Sequence, residues 1–390
     1  MASPLAGIRV LDLSRSLPGS FCSQILGDYG AEIIKIEDRG GDPVRYNLPG
    51  LDGESAQFFS INRNKRSLTL DLRKSRGKSV FKRLAEVSDV IIDGFRPGTM
   101  DNLGLGYHML AEINPALIYC SLTAYGNTGP LRDSPAHDIN IVGLAGITEL
   151  TGRKGDPPAM SAVQVSAVGG SLYGAIAILI ALLHRERTGF GKFCDVAMLD
   201  SAVSLTSYTM AECSVNGEVP VRGDTRLTGR YAYFNIYETS DGKYISVGAS
   251  EPKYWVNFCQ GIGKPEYIEF HKEPNRQEEM VRGIQAAIKD KSQCEWLKIF
   301  SDAACVTPVL NFAQVSEHPQ IRERNAIIKL KNFRDSGVDL TLPGPVIKFA
   351  DYSADIHWAF PRRGEHNIQI LQGLGYTQAE IHALMEDEVI

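Results

Sequence analysis

Short apolar runs alternate with longer amphipathic stretches through the first 125 residues, and the order of these runs predicts a sheet. Ile8–Leu13 reads as a strand. Ser14-Arg15-Ser16-Leu17-Pro18-Gly19 then breaks the pattern, a helical stretch runs from Ser20 to Tyr29, and Glu32–Glu37 reads as a second strand. Further strand signals lie at Ser67–Leu72, Asp89–Ile92 and Leu117–Leu122, with helical patterns at Gly77–Ser88 and Tyr107–Ile113 between them. Strands that alternate with helices predict an open, parallel, Rossmann-like α/β sheet, and such sheets take ligands in crevices beyond the strand ends.

The most apolar stretch is central. Leu172–Leu183 is almost unbroken in apolar character, preceded by Gly169, Gly170 and Ser171 and ended by His184-Arg185-Glu186-Arg187. This pattern predicts a helix lying inside the fold, with its glycines leaving room before the first turn, where unpaired N–H groups hold an anion or oxyanion. After a strand-then-helix pattern over Asp195–Ala211 the character changes. Tyr231–Glu238 and Lys243–Gly248, joined by Ser240-Asp241-Gly242, read as a β-hairpin, and helical stretches follow at Tyr254–Gln260, Gln277–Lys289 and Glu295–Ala303. We therefore expect a large domain over 1–215, a smaller α+β domain over 225–320 and a return to the large domain over 330–390.

Composition narrows the class. With 43% hydrophobic and 22% charged residues among 390, the chain is of globular type, and its net charge of −5 gives no reason to expect nucleic acid. The seven cysteines lack paired spacing, which argues against disulfides and a zinc site. The longest apolar run is shorter than the ~20 residues that span a bilayer. With no charged-then-apolar leader at MASPLAGIRV, a cytoplasmic protein that engages no membrane is expected.

Four patches carry candidate chemistry. Asn62-Arg63-Asn64-Lys65-Arg66-Ser67 and Phe95-Arg96-Pro97-Gly98 put basic groups near strand ends, where they serve either as phosphate contacts or as solvated loops. His137-Asp138 follows a flexible loop and reads as a positioned base or as plain surface. Glu251 precedes Pro252 and reads as a helix cap or as a functional acid. No GxGxxG follows the first strand, and neither a phosphate-loop lysine motif, nor GxSxG, nor metal-ligand spacing occurs.

Over essentially its full length the chain resembles the family III CoA-transferases, which include formyl-CoA transferase, carnitine CoA-transferase and alpha-methylacyl-CoA racemase. The resemblance rests on GIRVLDLSRSLPG with Gln24, GAEIIKIE, NRNKRSLTLDL, FRPGTMDNLGLGY, INPALIYCSLTAYGNTGP, LLHRERTGFGK and GEHN in combination. It implies a large α/β domain built from both chain ends, a small domain from the middle, and two chains threaded as an interlocked dimer, either a homodimer or a heteromer with a related subunit. The substrates implied are coenzyme A, as an acyl-CoA, and a carboxylic acid, with no permanently bound cofactor and no metal. Coenzyme A contacts are implied at Ser16, Leu17, Leu70, Asp71, Leu72, Arg73, Gly94, Phe95, Arg96, Asn102 and Tyr125, with Lys65 and Arg66 as phosphate-side supports. Relatives often carry Arg soon after Ile-Glu, whereas here Asp38 comes first and Arg39 next.

The resemblance also implies a chemistry. An Asp before the glycines of the central helix attacks the donor thioester and carries coenzyme A as an aspartyl thioester to the acceptor acid. Ungapped reading places that position at Ala167, whose methyl forms no anhydride, so the chain is expected to be inactive or impaired on its own. It is then an Asp→Ala variant, the non-catalytic half of a two-subunit enzyme, or an acyl-CoA-binding partner without activity. His137 and Glu251 fall where the racemase branch has its catalytic His and the Glu that orients it, which keeps a 2-methylacyl-CoA racemase or epimerase as the alternative. Transfer of CoA from a donor such as succinyl-CoA is the leading expectation. Tyr231, Tyr233, Tyr254 and Trp255 are expected to offer aromatic surface to the acid.

Overall fold

Six parallel strands form the main sheet of the computed structural model, which describes residues 3–354, 356 and 360–390. They are β1 (Arg9–Asp12), β2 (Glu32–Glu37), β3 (Lys65–Thr69), β4 (Val90–Asp93), β5 (Ile118–Thr123) and β6 (Phe193–Ala197), in the order β3-β2-β1-β4-β5-β6. Helix α1 (Leu17–Asp28) joins β1 to β2, α2 (Ser75–Glu86) joins β3 to β4 and α3 (Tyr107–Ile113) lies between β4 and β5, while β2 and β3 are linked by residues 38–64, which include a short helix over Ala56–Ile61. The strands read as apolar runs because both faces are covered. Leu11, Ile34, Leu68 and Ile91 pack with Phe81 and Leu84 of α2 on one side. Their neighbours Val10, Ile33, Val90 and Ile118 pack with Cys22 and Leu26 of α1 on the other.

Two boundaries differ from the sequence pattern. The third strand starts at Lys65, because parallel register pairs Lys65 with Ile33 and Thr69 with Glu37. Helix α1 starts at Leu17, with Pro18 in its first turn, where a missing N–H costs no hydrogen bond. Strand β1 pairs with β2 on one edge and β4 on the other, so the loops leaving β1 and β4 turn to opposite sides and open a crevice between them.

The crevice is bordered by α4 (Asp138–Leu144), α5 (Val165–Thr188) and α6 (Met198–Ser204). Helix α5 begins a full turn before its glycines, so Gly169 and Gly170 do not open space at its entry. A Cβ on Gly169 would lie 2.3 Å from Ser201 Oγ and one on Gly170 2.8 Å from Met198 Cγ, so the room they leave is filled by α6. The expectation that α5 is wholly interior also changes. Ala175, Ile178, Ala181 and Leu182 are buried against the sheet and α1, while Leu172, Tyr173, Ile176, Ile180 and Leu183 are exposed along the other face. At 24 residues and a mean hydropathy of 2.0, α5 is long and apolar enough to cross a membrane, but its inner face belongs to the core of the sheet.

Backbone proximity divides the chain into one unit of Met1–Ala145, Val163–Leu205 and Glu323–Ile390 and a second of Gly146–Ala162 and Thr206–Arg322. Residues 146–162 and 206–215, read above with the first segment, fall in the second unit. Its sheet holds the hairpin β7 (Phe234–Glu238) and β8 (Tyr244–Gly248), with β9 (Val306–Pro308) antiparallel to β8. Helices α7 (Pro252–Gly261), α8 (Gln277–Ile288) and α9 (Gln293–Phe300) cover it. Trp255 is 1% exposed and Tyr233 5%, so these two rings are core rather than the aromatic surface expected. Trp255 stacks on His271 at 5.3 Å and Tyr233 meets the same imidazole ring edge-on at 4.6 Å, both within the core cluster of this unit.

Two closing helices of the first unit, α10 (Asn367–Gly373) and α11 (Gln378–Glu386), return to the start of the chain. Strand β3 donates Ser67 N–H to His366 Nδ1 and Thr69 N–H to Asn367 Oδ1, while Gly364 N–H donates to Ser67 Oγ. The GEHN motif thus satisfies the outer edge of the sheet.

Candidate functional site

Two adjoining clefts in the first unit open at the strand ends. The inner one, about 600 Å³, is lined by Arg15–Gly19, Gly94–Pro97, Leu122–Ala124, Arg132, Ser134–Asp138, Asn140, Gln164, Ala167 and Met198. The outer one, about 590 Å³, is lined by Leu13, Arg15, Ile36–Asp38, Leu70–Arg73, Phe95, Thr99, Asn102 and Leu103. Arg15 and Phe95 belong to both. The Arg15 guanidinium lies 5.3 Å from the Phe95 ring centroid and donates to Asp38 Oδ2 at 2.8 Å.

Close approach of two loops shapes the floor. A Cβ on Gly94 would lie 3.2 Å from Ser14 Cα, so a larger residue there would force the loops after β1 and β4 apart, and one on Gly19 would lie only 2.1 Å from Ser14 Cβ, so a larger residue there would push the start of α1 off its own leading loop. Ser16 has φ 65° and ψ −172°, a region almost reserved for glycine and worth roughly 1–3 kcal/mol of strain. The surroundings hold it there. Lys35 Nζ donates to Ser14 O and pairs with Asp42 at 2.8 Å, and Lys65 Nζ donates to Ser20 O and Asp12 Oδ2. Ser14 Oγ and Ser23 Oγ donate to Asp12 as well. Burial pushes the Asp12 carboxyl up, but Lys65, Lys35 and the two hydroxyls outweigh it and bring it down to about 2. Burial pulls the Lys65 ammonium down to about 8 against the opposing pull of Asp12.

Just before Gly94, Asp93 at the end of β4 accepts the Phe95 N–H at 2.8 Å and the Tyr119 hydroxyl O–H at 2.8 Å. Burial, with Asp101 adding to it, pushes this carboxyl up to about 6. At the start of α5, Asp138 Oδ1 accepts Ser166 N–H at 2.8 Å, Ala167 N–H at 3.0 Å and Ser166 Oγ–H at 2.5 Å. The amides expected to be open to an oxyanion are therefore taken by a side chain. Ser166 is fully buried, and the Ala167 methyl lines the inner cleft. The start of α1 also lies on the cleft, and it carries no side-chain cap.

Most of the residues singled out from sequence come together here. Ser16, Leu17, Gly94, Phe95, Arg96, His137, Asp138 and Ala167 line the inner cleft, and Leu70, Asp71, Leu72, Arg73, Phe95 and Asn102 the outer one. Others do not. Lys65 is buried on Asp12 with 0% exposure, and Arg66 pairs with Glu32 at 2.6 Å, so neither reaches a phosphate on these clefts. Tyr125 lines neither cleft. Asp38 is held by Arg15 and Arg39 pairs with Glu388 at 3.0 Å. Glu251 is an exposed residue at the N-terminus of α7 in the second unit. Arg15, Arg132 and Gln164 were missed. A basic residue directly after β1, next to the sheet's point of reversal, was the available signal for Arg15.

Comparison with known proteins gives a consistent result. The model for CoA-transferase family III matches residues 5–367. The chain is 34% identical over 391 residues to alpha-methylacyl-CoA racemase of Homo sapiens, covering 99% of this chain and 97% of the relative. It is 30% identical over 397 residues to succinyl-CoA:glutarate CoA-transferase of Homo sapiens, covering 99% and 90%. A CaiB/BaiF family protein from Brucella suis superposes with a TM-score of 0.83 at 28% identity, over 96% of this chain and 100% of that one.

Proposed function

Because the chain belongs to CoA-transferase family III, whose members act on CoA thioesters, we propose that it serves transfer of coenzyme A from an acyl-CoA donor such as succinyl-CoA to a carboxylic acid. The observation that carries this reading is the pair of clefts joined at Arg15 and Phe95, which run from Arg73 to Ala167. The nucleotide end of coenzyme A lies by Leu70–Arg73 and Asn102, its arm passes Arg15 and Phe95, and its thioester reaches the start of α5. Arg96, exposed on the inner cleft, and the uncapped start of α1 supply positive potential along the way. The exposed apolar face of α5 is consistent with a second chain in an interlocked homodimer or heteromer.

At the position of the transferring acid stands Ala167, which contributes nothing covalent. Calorimetry with coenzyme A and succinyl-CoA tests the binding half of the proposal, and Arg15→Ala should weaken both ligands. Label exchange between succinyl-CoA and a panel of organic acids tests the transfer half, and Ala167→Asp is expected to raise its rate at least tenfold. Absence of CoA binding refutes the reading. Binding without exchange in Ala167→Asp, alone and with a related chain, leaves an acyl-CoA-binding subunit.

A second reading has its own support. His137 lines the same cleft as Ala167, which suits removal of a proton α to a thioester, as does the identity to the human racemase. In that case the Ala167→Asp protein exchanges the α-proton of a chiral 2-methylacyl-CoA with deuterium and gives no label exchange with free acids.

A further inference from the structure

Among the described residues that line the inner cleft, Asp138 carries the one carboxylate. The neighbouring hydroxyl of Ser166 is sealed from the cleft and committed to Asp138. The three donors on the Asp138 carboxylate, two backbone amides of α5's first turn and the Ser166 hydroxyl, all converge on Oδ1. None of the described residues donates to Oδ2. The arrangement that replaces a free helix start is therefore a fixed acid with one oxygen held and one available.

Resting on the transferase reading, we infer that Asp138 takes the covalent role that Ala167 leaves vacant. Oδ2 attacks the donor thioester carbonyl, the C–S bond breaks, and a mixed anhydride forms with release of the CoA thiolate. The thiolate then attacks the Asp138 carbonyl carbon, expels the donor acid as its carboxylate and leaves an aspartyl-CoA thioester. In that second step the negative charge develops on Oδ1, the oxygen that already accepts from Ser166 N–H, Ala167 N–H and Ser166 Oγ–H. Donors fixed where charge will appear cost no reorganisation during the reaction, and here they stand at the positive end of a 24-residue helix. The acceptor carboxylate repeats the two steps in reverse: it attacks the thioester, releases thiolate and forms a new anhydride. The thiolate then attacks the acyl carbon and frees Asp138. Protons and electrons balance without any further reactant.

The test uses the full chain. Wild-type protein is mixed with succinyl-CoA and trapped with hydroxylamine, which converts an aspartyl thioester into a hydroxamate, and peptides are read by mass spectrometry. The expected result is modification at Asp138, lost in Asp138→Asn, with label exchange falling at least 100-fold. Coenzyme A affinity by calorimetry should stay within threefold, because the amide oxygen of the variant still accepts from the first turn of α5. Ser166→Ala removes one of the three donors, and about a tenfold loss of exchange with unchanged CoA affinity is expected of it. Unmodified Asp138 in protein that binds succinyl-CoA, or exchange undiminished in Asp138→Asn, overturns the inference and leaves the transferase reading standing on Ala167→Asp. Failure to bind any CoA ester overturns both.

Discussion

Replacing Asp93 by asparagine is expected to stabilise the protein at neutral and alkaline pH. Burial, with Asp101 adding to it, raises the Asp93 carboxyl from the ordinary 3.8 to about 6. The folded chain then holds this proton more tightly than the unfolded chain does, so the ionised form is the one that folding disfavours. At about 1.4 kcal/mol per factor of ten, the ionised carboxylate costs the fold about 3 kcal/mol above pH 6. That cost fades as the pH falls from 6 towards 4 and is absent below it. Asparagine carries no charge at any of these values. Its oxygen still accepts the Phe95 N–H, and its amide donates to a Tyr119 hydroxyl that turns from donor to acceptor. Urea titrations of the full chain at pH 8, 6 and 4.5 should show Asp93→Asn about 2–3 kcal/mol more stable than wild type at pH 8, with the gap closing at the acid end. Since the Gly94–Phe95 turn keeps its bond, coenzyme A affinity should change less than twofold. A variant no more stable than wild type at pH 8, or a gap that ignores pH, refutes the reasoning.

Three further outcomes are expected. Asp12→Asn leaves Lys65 and Lys35 buried without their shared counter-charge and should cost about 3–5 kcal/mol in the same titration. Arg15→Ala removes the Asp38 contact and the cation over Phe95, and should weaken coenzyme A about tenfold by calorimetry, whereas Arg66→Ala, facing Glu32 away from both clefts, should leave it unchanged. Ser16→Gly relieves a φ of 65° and should raise the melting temperature, by an amount equivalent to about 1 kcal/mol, and an unchanged or lower value would show that the surroundings impose no strain there.

The α/β sheet was legible because its strands are covered on both faces and its helices on one, which leaves the two periodicities that Val10–Leu11 and Phe81–Leu84 display. A crevice beyond the strand ends followed from the alternation of strands and helices, and the strand-end residues Phe95, Arg96 and Arg73 fell on it. What stayed hidden was direction. A basic cluster such as Asn62–Ser67 reads as phosphate contacts or as a solvated loop, yet Arg63 pairs with Asp28 and Lys65 with Asp12, partners 35 and 53 positions away. No local pattern announces a cation that is neutralised from the far side of a strand. The start of α5 was misread for a similar reason. Its capping acid, Asp138, lies 28 positions upstream of Ser166, beyond the reach of any capping motif read in sequence.

The bonds between β3 and the GEHN motif join positions 298 apart in the chain. During synthesis the edge strand therefore leaves the ribosome long before its covering does, and it carries unmet N–H groups until residues 364–367 arrive. A nascent chain with that margin open is a target for chaperones and for neighbouring nascent copies. Speed of translation between Thr69 and Gly364 thus becomes a determinant of how much protein escapes aggregation.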